Sequence, residues 1–141
     1  MNYIPKFFKP YELLPKVLYL KLKREGWSDE QMWARFFDPR TLHVNDKIRR
    51  RYGKMVANTW YWGGRHQYRG FRTRWCKVGA IYSQHRYGRA SDLDPVEVTA
   101  EEIRQDIIAG NNFLHITCIE ASISWLHHDE RNYEGLLIVN P

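Results

Sequence analysis

Two residues that can bind a metal ion stand seven positions apart in the segment SQHRYGRASDLDP, residues 83–95. His85 offers an imidazole nitrogen and Asp92 a carboxylate oxygen, and both groups are found among the ligands of catalytic zinc. Between them, Gly88 and the small Ala90 permit a close turn that would bring the two ligands together. The same residues also fit a plain turn that leads into the end of a strand. A metal site of this type needs a third protein ligand from elsewhere in the chain.

The segment SWLHHD, residues 124–129, can supply that third ligand. Successive side chains of a strand point to opposite faces of the sheet. If this segment is a strand, Trp125, His127 and Asp129 share one face, while His128 lies on the other. The histidine that faces the same way as the aspartate is therefore His127.

These segments resemble the motifs of the M15 peptidases, zinc enzymes that cleave peptidoglycan. The family includes D-alanyl-D-alanine carboxypeptidases and dipeptidases, and the L-alanyl-D-glutamate endopeptidases of phage lysins. SQHRYGRASDLD matches the family signature SxHxxGxAxD at its five fixed positions, which are Ser83, His85, Gly88, Ala90 and Asp92. WLHHD resembles the family's Trp/Phe-x-His-x-Asp motif, and RGFRT resembles the segment that holds its arginine. The order of the three motifs is also that of the family, and the resemblance covers about residues 38–130.

The resemblance implies a zinc site with three protein ligands, namely His85, Asp92 and His127. It also implies that Arg72 binds a substrate carboxylate or the oxyanion that develops during hydrolysis. A guanidinium group suits this task because it can donate two parallel hydrogen bonds to a carboxylate. Three other arginines near Arg72 are alternatives to it: Arg65, Arg69 and Arg74.

Two carboxylates are candidates for the general base. Many members of the family place Asp or Glu three residues before the last histidine, where this chain has Ser124. Glu120 lies near the end of the preceding predicted strand, and we prefer it as the base. Asp129 shares the face of His127, but it could instead orient a ligand histidine. The base would take a proton from the attacking water and pass it to the leaving amine.

Helices are predicted for most of the amino-terminal half. The first covers 10–25 and has Pro10 in its first turn. A second starts with a capping box at Ser28, and a third starts at Asp38. A fourth helix is predicted further along the chain, after a capping box at Thr99.

Short apolar and β-branched runs predict strands over 55–60, 113–119, 123–127 and 136–139. The segment 61–75, rich in glycine and arginine, is predicted to be a loop over a surface groove. The elements predict an α+β fold with helices first and a small antiparallel sheet after them. We expect one zinc peptidase domain over 1–141, with a helical extension over 1–37 and a metal-binding core over 38–141. The resemblance implies a fold like that of hedgehog and the DD-peptidases.

Composition narrows the partners and the location. The net charge of +6 and the isoelectric point near 9.4 suggest an anionic partner, such as nucleic acid, a membrane surface or a cell-wall polymer. The first residues lack the apolar core of a signal peptide, and no run of about 18 apolar residues could span a membrane. Cys76 and Cys118 cannot form a disulfide framework, so we expect reduced thiols in a protein made in the cytoplasm.

Three functions follow as hypotheses. The first is a zinc metallopeptidase, either carboxypeptidase or endopeptidase, that hydrolyses peptidoglycan stem peptides. It would be a phage endolysin or virion-associated wall hydrolase, made in the host cytoplasm and acting in the periplasm or cell wall or carried in a particle. The second is a catalytically inactive zinc-binding structural component of a phage particle, favoured by Ser124 in place of the acid. The third is a single-strand nucleic-acid binder that uses the loop 65–75. It ranks last because it leaves both motifs unexplained. Under the preferred peptidase hypothesis, no specific nucleic-acid partner is expected.

Overall fold

The computed structural model describes residues 2–112 and 115–141. Over these residues the chain forms α-helices and a five-stranded sheet. The helices are α1 (Lys16–Arg24), α2 (Asp29–Phe36), α3 (Pro39–Tyr52) and α4 (Ala100–Ile108). The strands are β1 (Met55–Val56), β2 (Ala90–Pro95), β3 (Cys118–Glu120), β4 (Leu126–Asp129) and β5 (Leu137–Val139). The predicted α+β class is confirmed.

The predicted capping boxes are present at the starts of α2 and α4. The Ser28 hydroxyl accepts from the backbone N–H of Gln31, whose side chain accepts from the backbone N–H of Ser28. Thr99 and Glu102 exchange the same two bonds. At the third helix, the Asp38 carboxylate accepts from the first turn of α3. These bonds satisfy N–H groups that have no partner within the helix, which is why the starts could be predicted.

The prediction of one continuous helix over 10–25 is wrong. A 3₁₀ helix at Pro10–Glu12 and α1 replace it. Pro15 causes the break, because proline has no N–H and disfavours helical dihedrals in the residue before it. Leu14, the residue before Pro15, is instead fully buried in the core.

The sheet has the strand order β1-β2-β4-β3-β5. Neighbouring strands are antiparallel except for β3 and β5, which run parallel. The prediction of an antiparallel sheet is therefore wrong, and the sheet is mixed. The reason is that the chain reverses after β4, whose two edges are already paired, so β5 joins the free edge of β3 and runs in the same direction.

Strand β2 lies inside the sheet but was not predicted as a strand. Its two aspartates, Asp92 and Asp94, are residue types that are depleted in strands. The other strands are shorter than predicted or displaced, so that β1 covers only Met55–Val56 and β4 covers Leu126–Asp129. Residues 113 and 114 of the predicted strand over 113–119 lie outside the described residues, and β3 starts at Cys118.

One hydrophobic core contains side chains from both halves of the sequence. The segment 1–37 contributes Phe8, Leu13, Leu14, Leu22, Met32, Trp33 and Phe37. The sheet and α4 contribute Leu93, Ile103, Ile107, Ile119 and Leu126. The first helices therefore pack in the same core as the strands. No helix in the described part of the chain is both long and apolar enough to cross a membrane.

A buried polar network joins α3 to the back of β2 and β4. The imidazole of His128 bonds through Nδ1 to Glu130 Oε2 (2.9 Å) and through Nε2 to Asn45 Oδ1 (2.6 Å). The Asn45 amide donates to the Ser91 hydroxyl at 2.9 Å, and the Thr41 hydroxyl donates to Glu130. Because side chains alternate along a strand, these bonds direct the intervening residues of β2 and β4 to the opposite face.

Candidate metal centre

Three side chains predicted as ligands meet on that opposite face. His85, Asp92 and His127 each offer one donor atom, and the three atoms lie within 4.8 Å of one another. Asp92 and His127 are direct cross-strand partners in the β2–β4 pair, which is why they share a face. All three side chains are buried. This group can hold a metal ion.

His85 is positioned by a 3₁₀ helix over Gln84–Tyr87. The Ser83 hydroxyl caps this helix by accepting from the backbone N–H of His85. Gly88 ends it at a φ of +67°, and a Cβ at Gly88 would stand 2.1 Å from the Phe36 carbonyl oxygen. The glycine is therefore required both for its backbone conformation and for the close approach to the end of α2.

Hydrogen bonds determine which nitrogen of each histidine faces the site. His85 Nδ1 donates to the Gly70 carbonyl oxygen at 2.7 Å, which leaves Nε2 unprotonated and 3.4 Å from Asp92 Oδ1. His127 Nε2 lies 2.8 Å from Asp129 Oδ2, and its Nδ1 lies 2.8 Å from Asp92 Oδ1. A carbonyl and a carboxylate on the outer nitrogens are the partners that commonly orient metal-binding histidines.

The protonation states of the chain alone suit metal binding at two of the three ligands. Burial lowers the pKa of His85, although Asp92 beside it acts in the opposite direction. Burial would raise the pKa of Asp92, but His85 and His127 hold it well below its usual range. As for His85, burial alone would lower the pKa of His127, but hydrogen bonds to Asp129 and Asp92 raise it to about 10. Asp92 is thus ionised and His85 neutral at neutral pH, while His127 must lose a proton to become a ligand.

Arg72 lines the pocket that opens above the three side chains, and it also bonds to the candidate ligand Asp92. Its Nη2 donates to Asp92 Oδ2 at 3.3 Å, and its Nε donates to the Tyr68 carbonyl oxygen at 2.7 Å. Gly79, at a φ of +80°, passes so close that a Cβ there would stand 2.4 Å from Arg72 Nη1. Arg72 therefore orients Asp92, and its role towards a substrate stays a prediction.

The two candidate bases occupy different positions. Glu120, at the end of β3, is partly exposed in the pocket, and its Oε1 lies 3.7 Å from His127 Nδ1. Asp129 is fully buried and faces the outer nitrogen of His127. Burial would raise the pKa of Asp129, but hydrogen bonds from Arg131 and His127 hold it well below its usual range. Glu120 is therefore open to the pocket beside the three side chains, whereas Asp129 bonds to the outer nitrogen of His127, and the identity of the general base stays a prediction.

The sequence interpretation missed Arg131. Its Nε and Nη2 each donate to the Asp129 carboxylate at 2.7 Å, and the side chain also lines the pocket. The alternation that groups His127 with Asp129 extends by two more residues to Arg131, and this was the available signal. Ser124, where the family's acid is expected, is exposed and precedes β4.

A pocket of about 440 Å³ opens above the three ligands. Its walls include Glu120, Trp125 and part of the segment 78–84, in which Ile81 and Tyr82 are exposed. The ligands are therefore accessible to a molecule from solvent, although each is itself buried. Such an arrangement can bind a small substrate group directly above a metal.

Comparisons with known proteins give no match to this chain among protein-family models, curated proteins or solved structures. Any functional assignment therefore depends on the site geometry and on the motif resemblance.

Proposed function

We propose that this protein is a zinc-dependent metallopeptidase that hydrolyses peptide bonds in the stem peptides of bacterial peptidoglycan. The observation that carries the proposal is the convergence of His85, Asp92 and His127 below a pocket that also contains Glu120. The substrate class comes from the resemblance of SQHRYGRASDLD to the SxHxxGxAxD signature. The same resemblance supports a role as a phage endolysin or virion-associated wall hydrolase.

The ligand types support zinc. Two imidazole nitrogens and one carboxylate oxygen form a ligand set known from catalytic zinc sites, and the same types occur in non-haem iron oxygenases. Glu120 favours hydrolysis over oxygenase chemistry, because its carboxylate is a proton acceptor close to His127 Nδ1, the atom that would bind the metal. When bound, zinc would supply a Lewis acid that makes water a nucleophile at neutral pH and polarises the scissile carbonyl.

The residues of the chain would divide the remaining work. Glu120 would accept a proton from the attacking water and donate it to the leaving amine, a transfer typically worth about 100- to 10,000-fold in rate. Asp129, held by Arg131, would keep His127 in the tautomer whose Nδ1 is a ligand. Arg72 would orient Asp92 and present positive charge to a substrate carboxylate or oxyanion.

A peptidoglycan zymogram combined with metal analysis tests the proposal. We expect clearing by the wild type that chelation abolishes and zinc restores, with one zinc per chain by mass spectrometry. His85→Ala should lose both zinc and clearing, whereas Glu120→Gln should keep the zinc and lose the clearing. His43→Gln, on α3 and outside the pocket lining, is the matched histidine control and should behave as the wild type.

Two outcomes would contradict the proposal. One equivalent of zinc without clearing of any peptidoglycan would instead support the inactive structural component. Iron bound in preference to zinc would point to a different chemistry at the same ligands.

A further inference from the structure

The loop 73–83 exposes a large share of its apolar side chains to solvent. Trp75, Ile81 and Tyr82 are 76%, 71% and 80% exposed, and Val78 is exposed as well. Single exposed apolar residues are common on protein surfaces and need no partner. Here four of them occur within the eight positions 75–82, and clusters of this kind mark surfaces that bind a partner or a membrane.

Arg86 holds the two ends of this loop together. Its Nη1 donates to the Arg74 carbonyl oxygen at 2.9 Å, and its Nη2 donates to the Cys76 carbonyl oxygen at 2.7 Å. Its backbone N–H donates to the Ser83 carbonyl oxygen at 3.0 Å. The exposed apolar residues next to each end are therefore near one another in space and form one surface of the molecule.

The inner side of the loop is polar. Gly79 packs so closely on the Arg72 guanidinium group that a Cβ at this glycine would stand 2.4 Å from Nη1. Beneath the other part of the loop, the Nε of Arg86 is buried and has no hydrogen-bond partner in the described part of the chain. An apolar side chain that turned inward would remove these charged groups further from water, which costs free energy. The fold thus directs the apolar side chains to solvent.

The same loop carries positive charge that no acidic residue offsets. Residues 73–87 include Arg74, Lys77 and Arg86 but neither Asp nor Glu. Arg74 and Lys77 are exposed, and neither forms an ion pair with a carboxylate within residues 2–112 and 115–141. The Arg74 guanidinium carbon instead lies 4.4 Å from the centre of the Trp75 ring. The loop therefore presents apolar and cationic groups side by side.

This combination suits an anionic bilayer better than a protein partner. Trp and Tyr are enriched where a membrane meets water, and anionic headgroups attract Lys and Arg. The net charge of +6 adds to that attraction. A stable protein interface takes about 20 to 30 residues from each side, which is more than this loop provides. A bilayer needs no matching shape, because single side chains can enter the boundary between headgroups and acyl chains.

We propose that the loop 73–83 binds the surface of anionic lipid bilayers. Trp75, Ile81 and Tyr82 enter the headgroup region, while Arg74 and Lys77 face the lipid phosphates. The proposal does not depend on the peptidase function. Residues 78–83 also line the pocket of the candidate metal centre, so binding would place the mouth of that pocket at the membrane surface.

Sedimentation of the full chain with lipid vesicles tests the proposal. One set of vesicles is pure phosphatidylcholine, and the other is an equimolar mixture of phosphatidylcholine and phosphatidylglycerol. We expect binding to the mixed vesicles to be at least about tenfold tighter, with a preference that shrinks at high salt. Ile81→Ser should weaken that binding about tenfold, because it removes inserted apolar area. Lys77→Gln should weaken it about fivefold, because it removes one charge near the surface.

Matched variants on α1 separate the loop from general effects of hydrophobicity and charge. Val17→Ser removes an aliphatic side chain that is 77% exposed, and Lys23→Gln removes one exposed lysine charge. Both should bind the mixed vesicles within about twofold of the wild type, since each lies outside the loop. All of these substitutions change exposed side chains, so the fold stays intact, and an unchanged urea unfolding midpoint would verify this.

Brominated lipids locate the contact, because they quench the fluorescence of tryptophans that they touch. Trp75→Phe should bind mixed vesicles nearly as well as the wild type but lose most of the quenching. Trp62→Phe is the control, since Trp62 is 62% exposed but packs edge-on against Tyr11 outside the loop. This control should keep the quenching of the wild type.

Several results would overturn the proposal. The first is no sedimentation with the mixed vesicles, and the second is an equal loss of binding in Ile81→Ser and Val17→Ser. The third is quenching that is lost in Trp62→Phe and kept in Trp75→Phe. Self-association of the full chain that Ile81→Ser abolishes, without vesicle binding, would assign the loop to an interface between copies instead. Clearing of peptidoglycan bears on none of these results, so the two proposals fail separately.

Discussion

Substitution of Asp129 by asparagine separates a residue that orients a ligand from one that transfers protons. Asp129 Oδ2 accepts from His127 Nε2 at 2.8 Å, and both of its oxygens accept from Arg131. Asparagine preserves the shape but replaces the carboxylate by a neutral amide, which weakens both bonds. Loss of such an outer partner lowers metal affinity by about 10- to 100-fold, or about 1.4 to 2.7 kcal/mol. Arg131 is partly exposed, so water can replace its lost partner.

Zinc titration against a chromogenic chelator measures this loss, and turnover is then measured at saturating zinc. We expect Asp129→Asn to need more zinc but to recover most of its activity once saturated. Glu120→Gln is the matched control, and it should bind zinc as the wild type does while its turnover is lost at every zinc concentration. Unchanged zinc affinity in Asp129→Asn, together with no turnover at saturation, would refute this reasoning and make Asp129 the base.

Three further predictions concern Gly88, Asn45 and His127. Gly88→Ala should destabilise the fold by more than about 1 kcal/mol, measured by urea unfolding, because its Cβ would meet the Phe36 backbone and its φ is positive; an unchanged unfolding midpoint would contradict this. Asn45→Ala should cost about 1 to 3 kcal/mol for each buried group left unpaired, chiefly His128; loss of zinc affinity with full stability would disprove that purely structural role. Since the pKa of His127 is raised to about 10, it is protonated at pH 7 and adds stability to the metal-free fold that is lost as pH rises through 10. Zinc binding should therefore release about one proton and weaken about tenfold per unit of falling pH, as calorimetry in buffers of different ionisation enthalpy would reveal; zero proton release would exclude it.

Of the three candidate ligands, only His127 could be assigned its face from a local rule, whereas the set of His85, Asp92 and His127 was implied by the motif resemblance. Strand alternation places His127 and Asp129 on one face, and the contacts between them have that arrangement. The central position of β2 could not be predicted in the same way, since Asp92 weakens the strand pattern and is held there by long-range pairing with β4. The Gly70 carbonyl that orients His85 was equally hidden, because main-chain groups leave no mark in residue types.

The helical first part of the chain contributes to the site through backbone contacts. A Cβ on Gly70 would stand 2.3 Å from the Leu13 carbonyl oxygen, so the loop that orients His85 packs directly on the segment before α1. The turn at Gly88 packs in the same way on the Phe36 backbone at the end of α2. Both loops that position His85 therefore rest on this helical segment, and some of its side chains, such as Leu13 and Phe37, are part of the common core. Because close packing transmits displacement, an error in how these helices pack would move His85 relative to Asp92. The segment is thus a structural part of the candidate metal centre, although its described residues, 2–37, provide none of the three donor side chains.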